Sequence, residues 1–309
     1  MSPNIAWVER LTVFRAMVFA AAIPTLLGMI FAIWIAVPKF VAATNLDVMS
    51  ERFELARALE ALVHEQQKER GATAVFLSAK GERFQSELAH QRRATDGRMS
   101  DAISEIERET GRGGAPEFAE MLKGISSEIR MASTIRSQVD ALSIPPSEAI
   151  GFYTNLNARI VRAVKSTSKL SPDKDVATLI IAWSGFLQGK ERAGIERAVG
   201  AGAFGAGSFD GSAMARFTSL IQVQDVYFDI FLADATETQR TAFEKVLSSP
   251  ANSSVEKMRE IAVSAGIGGD VSMISGEEFY SAQTQRIDLL KHVEDEVASD
   301  IATLNSDMA

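Results

Sequence analysis

Two glutamate–arginine pairs in similar small-residue surroundings are the residues of this chain best suited to chemistry. The first lies in Lys68-Glu69-Arg70-Gly71, within "QQKERGATAVFLSAKG" (66–81), and the second in Ile195-Glu196-Arg197-Ala198, within "GKERAGIERAVGAGAFGAG" (189–207). The two arginines stand 127 residues apart, and each is followed by small residues that lead to an aromatic, Phe76 or Phe204. Arginine is seldom buried without a partner, and small neighbours let helix backbones close around it. A duplicated arginine in duplicated tight packing points to two guanidinium groups holding one small anion. Arg192 competes with Arg197 for the second position, because Lys190-Glu191-Arg192 repeats Lys68-Glu69-Arg70. Glu69 and Glu196 precede their arginines by one position, about 100° around a helix. They are expected at the surface or as partners of neighbouring helices, not as anion ligands.

Other chemistries find little support. With no cysteine, disulfides, thiol catalysis and Cys-based zinc sites are excluded. His64, His90 and His292 are far apart and share no metal-ligand spacing. Surface or satisfied histidines are the expectation, with no metal and no cofactor. The run "GAGAFGAG" lacks a following G-K-[ST] and a preceding strand, so close helix packing explains it better than a phosphate loop. No acid pair stands with a histidine or nucleophile, so the chain is not expected to be an enzyme. A formal net charge of −8 leaves no basic stripe for nucleic acid, and none is expected as a partner.

The elements that position these residues are helical almost throughout. Apolar spacing at Leu55, Leu59, Leu62 and Val63 carries a helix through Arg70 to about Ser78. Further helices are expected over 82–109, 116–142 and 147–169, punctuated by "TGRGGAP" and "SIPPS". Ser171 as N-cap and Pro172 at the first helical position open a fifth, through Trp183 and Arg197 to about Phe204. Then follow 212–234, 236–247 and, after a "SSPANSS" loop, 254–265. Ser275 and Glu278 have capping-box spacing for a last helix, 276–306. Phe152, Tyr153, Trp183, Phe228 and Phe231 fall at helical spacings and are expected in the core. Four helices precede Ser171 and four to five follow it. If the halves are equivalent, laying their opening helices side by side brings Arg70 and Arg197 together.

Residues 16–38 contain no charged side chain and are long enough to cross a bilayer at about 1.5 Å per residue. The expected layout is a cytoplasmic 1–15, a transmembrane helix 16–38 and an extracytoplasmic domain 39–309. That places a single-pass protein in the inner membrane with its sensor in the periplasm. The last helix keeps apolar spacing to Leu304 and stops at Ala309. It is read as leading toward a second membrane helix and an output module.

Several segments resemble the nitrate- and nitrite-sensing (NIT) domain family. They are the ERG run with Leu77 at 69–77, "FYTNLNARIV" (152–161), "LQGKERAGIERAVGAGAF" (187–204), "QDVYFDIFLADA" (224–235) and "TQRIDLLKHVEDEVASDI" near the end. The resemblance covers roughly 45–305 and is most specific in KERAGIERA. It implies an all-α sensor of two packed up-down helical bundles, of the kind found outside the membrane in chemoreceptors, histidine kinases and cyclases, and in cytoplasmic antitermination regulators. The family's nitrate-contacting arginines match Arg70 and Arg197, with Arg192 a second candidate. The glycine-rich "GAGAFGAGSF" departs from the family and is expected to loosen the end of the fifth helix. Nitrate is planar with three equivalent oxygens, and a guanidinium fork can pair with two of them where lysine cannot. The implied function is a transmembrane receptor's sensor that binds nitrate or nitrite between helices, as a homodimer. The rival is an anchored helical scaffold with no small-molecule ligand.

Overall fold

The structure, a computed structural model, describes residues 3–113, 115–171 and 173–307, with side chains described at Val18, at 25–37 and, outside the gaps at 114 and 172, over 48–304. Among the described residues there are ten helical elements and no strand. They are α1 (Pro3–Ser78), α2 (Gln85–Gly111), α3 (Pro116–Asp140), α4 (Pro146–Thr167), a 3-10 turn (Ser168–Leu170), α5 (Lys174–Gly205), α6 (Gly211–Asp234), α7 (Glu237–Leu247), α8 (Pro250–Ala265) and α9 (Gly276–Asp307). The all-α class expected from periodicity is therefore found. By its contacts the chain divides into Met1–Val48, which holds the first part of α1, and Met49–Met308, which holds the rest.

The expected transmembrane helix is not found among the described residues. Part of 16–38 lies outside the described side chains. Among the described residues no helix is long and apolar enough to cross a membrane. The inner-membrane localisation with a periplasmic sensor is corrected on that finding.

In the second unit one core joins both halves of the chain. Leu59, Leu62 and Val63 of α1 meet Leu122 and Ile125 of α3, Trp183 and Phe186 of α5, Phe231 of α6 and Leu290 of α9. Each half adds a satellite cluster. Phe76, Leu77, Leu88, Val139 and Ala149 form one within α1–α4. Phe204, Phe209, Phe217 and Phe279 form the other, with α5, α6 and α9 around them. Such aromatic packing holds α5 helical through to Gly205, so the glycine-rich run does not loosen it. The expected core aromatics are buried, except Phe152, which is partly so.

Local signals explain most helix ends. Ser275 and Glu278 exchange the two capping-box bonds, at 3.1 and 2.7 Å, as their spacing predicts. The start of α5 differs. Asp173, not Ser171, is the N-cap, accepting from the backbone N–H groups of Asp175 and Val176; the expected N1 proline, Pro172, lies outside the described residues. Helix α8 begins inside the expected loop, because Ser249 caps it and Pro250 takes the first turn.

Candidate functional site

Arg70 and Arg197 are brought together where α1 packs against α5. Arg70 is 1% exposed and Arg197 3%. Arg70 Nη1 donates to Thr154 Oγ1 of α4 at 3.0 Å and to Glu191 Oε1 of α5 at 2.5 Å. Arg197 Nη1 donates to Thr284 Oγ1 of α9 at 2.9 Å, and Nη2 to the Gln67 carbonyl of α1 at 3.2 Å. Its guanidinium carbon lies 4.7 Å from the centre of the Tyr280 ring, a cation–π distance. Each arginine reaches across a glycine of the opposite helix. A Cβ at Gly194 would sit 2.9 Å from Arg70 Nη2, and one at Gly71 would sit 3.2 Å from Arg197 Nη2 and 2.8 Å from Tyr280 Oη. The small residues beside each arginine therefore make room for the other arginine.

The preceding glutamates hold the two helices in place. Glu69 takes a bidentate pair of bonds from Arg136 of α3, both 2.7 Å, and one from Tyr153 Oη of α4 at 2.7 Å. Glu196 takes the same bidentate pair from Arg259 of α8, at 2.8 and 2.6 Å, with Gln224 of α6 and Gln283 of α9 closing the set. Both carboxylates are fully buried. Of the two expectations for these residues, partnership with neighbouring helices is met and surface placement is not. The matched anchors give the sequence repeat a structural meaning: in each half, the glutamate ties the opening helix to its own bundle and the arginine next to it crosses to the other.

The electrostatics of the two arginines differ. Arg70 has Glu191 as a buried ion-pair partner. Among the described residues no carboxylate forms an ion pair with Arg197, and its Nε has no acceptor. Burial first, with the charge of Arg70 adding to it, pushes the Arg197 guanidinium below the ordinary arginine range, against the opposing charges of Tyr280, Asp288 and Glu191. A buried cation without a counter-charge costs several kcal/mol, on the order of 3–5 when a pair is broken. A cleft of about 680 Å³, lined by Gly71, Ala74, Ala198, Ala201 and Tyr280 among others, opens beside it. Gly71 and Tyr280 thus line the cleft and also touch Arg197.

Arg192 is not brought to this place. Five positions before Arg197, it points about 140° away around α5 and lies over Tyr227 of α6 at 5.8 Å. The residues that sequence reasoning missed are Glu191, Gln67, Thr154, Thr284 and Tyr280. Glu191 stands inside the quoted KER run, but nothing local shows that it faces α1 while Arg192 faces α6. Thr154 and Thr284 stand in or beside the quoted "FYTNL" and "TQRIDL" segments, so the signal was present without its role.

The chain resembles the nitrate regulatory protein of Klebsiella oxytoca, 26% identical over 271 residues that cover 87% of this chain and 67% of the relative. Its fold matches the solved structure of the NasR transcription antiterminator with a TM-score of 0.79 at 24% identity, over 90% of this chain and 74% of that one. The profile of the family described as nitrate and nitrite sensing (NIT) matches residues 61–302, and the chain belongs to that family.

Proposed function

We propose that this chain senses nitrate or nitrite by holding the anion between Arg70 and Arg197, without catalysis. The observation that carries the reading is Arg197: a buried guanidinium with no ion-pair partner among the described residues, aimed at the helix that carries a second buried arginine. An oxyanion there supplies the missing counter-charge and acceptors for the unpaired Nε. Because one arginine belongs to each half, the anion ties α1 to α5 and, through Thr284, to α9. Its binding energy is then spent on how these helices pack, which is what a sensor needs. The solved structure with the similar fold is named a transcription antiterminator, so a nucleic-acid output is proposed in place of the expectation of no nucleic-acid partner. That expectation rested on net charge, which describes this chain's surface and not the output a sensor serves. Light scattering of the purified chain tests the expected homodimer.

Thermal melts test the binding. A ligand at 100 times its dissociation constant adds about 2.7 kcal/mol, so nitrate or nitrite raises the melting temperature where chloride and sulfate at equal ionic strength do not. A shift of equal size with all four anions contradicts the reading.

A further inference from the structure

We infer that Glu191 sets the valence of the anion this site accepts, restricting it to monoanions. The inference rests on the paired-arginine reading above. Three buried charges face one another where α1 meets α5: Arg70, Arg197 and Glu191, whose side chains are 1%, 3% and 5% exposed. The neighbouring charges are directed elsewhere. Glu69 is paired with Arg136 and Glu196 with Arg259. Arg286 is turned toward Asn252 and Gln224 on the α6 and α8 side. Asp288 acts on Arg197 from an exposed position, where solvent screens it.

The three charges sum to one positive charge. A monoanion brings that sum to zero, while a dianion leaves a buried negative charge beside the Glu191 carboxylate. Glu191 also competes for the same donors. Its two oxygens accept from Arg70 at 2.5 Å and from the Gln67 amide at 2.7 Å, so an incoming oxyanion must share Arg70 with a carboxylate already in place. A planar monoanion can take the Arg197 edge and the remaining Arg70 donors without evicting it.

Glu191→Gln removes the charge and keeps the shape. The Gln67 Oε1 atom has no hydrogen-bond partner among the described residues, so a flip of that amide accepts the new N–H₂ group. Calorimetric titration of the full chain with sodium nitrate and with sodium sulfate, at fixed pH and ionic strength, reads the consequence. In the wild-type protein nitrate binds and sulfate binds far more weakly. In Glu191→Gln, the ratio of sulfate to nitrate affinity rises at least about tenfold, as expected for one elementary charge removed a few ångströms from the anion. Glu191→Ala makes the same charge change with a smaller side chain and shifts the ratio the same way, should the first variant lose its helical circular dichroism. An unchanged ratio in a folded variant, with nitrate still bound, overturns the role of Glu191 and leaves the arginine pair standing. Absence of nitrate binding to the wild-type protein overturns both.

Discussion

The two arginines of the site predict opposite responses to mutation, although they are chemically identical and similarly buried. Truncating Arg70 strands Glu191 as an unpaired buried carboxylate, so Arg70→Ala destabilises by about 3–5 kcal/mol. Replacing Arg197 removes a buried cation that has no ion-pair partner among the described residues. Arg197→Met therefore raises the melting temperature of the anion-free protein while abolishing its response to nitrate. Thermal unfolding followed by circular dichroism checks both; a loss of stability in Arg197→Met comparable to Arg70→Ala contradicts the charge argument. Arg70 and Arg197 were legible because residue type, repeat and small neighbours all agree. Glu191 was not, because its role depends on the rotation of α5 against α1, and Glu191 and Arg192 differ by only one position. Nor does sequence alone show that Tyr280, 83 positions beyond Arg197, supplies a ring to that guanidinium.

Helix contacts decide which glycines matter within one glycine-rich run. A Cβ on Gly200 would fall 2.2 Å from the Phe279 ring, whereas one on Gly202 meets nothing within 4 Å. Gly200→Ala therefore forces the packed phenylalanine cluster apart and costs about 1–3 kcal/mol. Gly202→Ala gains about 0.5–1 kcal/mol from helix propensity. Urea denaturation of the pair separates packing from propensity, and equal effects contradict the close approach of α5 and α9. Boundaries set by glycine and proline, such as the end of α1 at Ser78 and the start of α4 at Pro146, were legible from local rules. The start of α8 was not, because "SSPANSS" reads as a polar loop unless Ser249 and Pro250 are taken together as cap and first turn. A membrane helix was read from apolar length alone; no described helix is both long and apolar enough to bear it out.

At the scale of the whole molecule, a second buried polar layer lies along the α1, α5 and α9 contact and governs stability against pH. Lys190 of α5 pairs with Glu294 of α9, and Lys291 reaches Glu60 of α1 at 3.2 Å. Burial, then the charges of Lys190 and Lys68, lower the His64 pKa to about 2, with Lys291 adding to them and Glu294 opposing. This depressed folded value makes the contribution of His64 complete above its unfolded value near 6.5, and it is lost as pH falls below that value. Glu294, lowered to about 2, adds a loss in the same direction only below about 4.5, whereas Glu60, raised well above its usual value by burial and by Glu294, keeps its proton in the folded state above about 4.5 and so opposes His64 within the His64 window. Between pH 6.5 and about 5 His64 by itself gives a slope of up to about 1.4 kcal/mol per pH unit, with Glu60 pulling the other way. Relative to the wild-type protein, His64→Gln removes the fall of the denaturation midpoint with falling pH across that window and leaves the opposite trend of Glu60, and a slope equal to the wild type's contradicts a neutral buried histidine. The same three helices carry the arginine pair, so the account as a whole turns on what lies between α1 and α5. A crystal structure of the protein grown with nitrate tests this most directly. The account predicts a planar anion with oxygens about 2.7–3.0 Å from guanidinium nitrogens of both Arg70 and Arg197; nitrate bound elsewhere, or touching only one of the two, contradicts it.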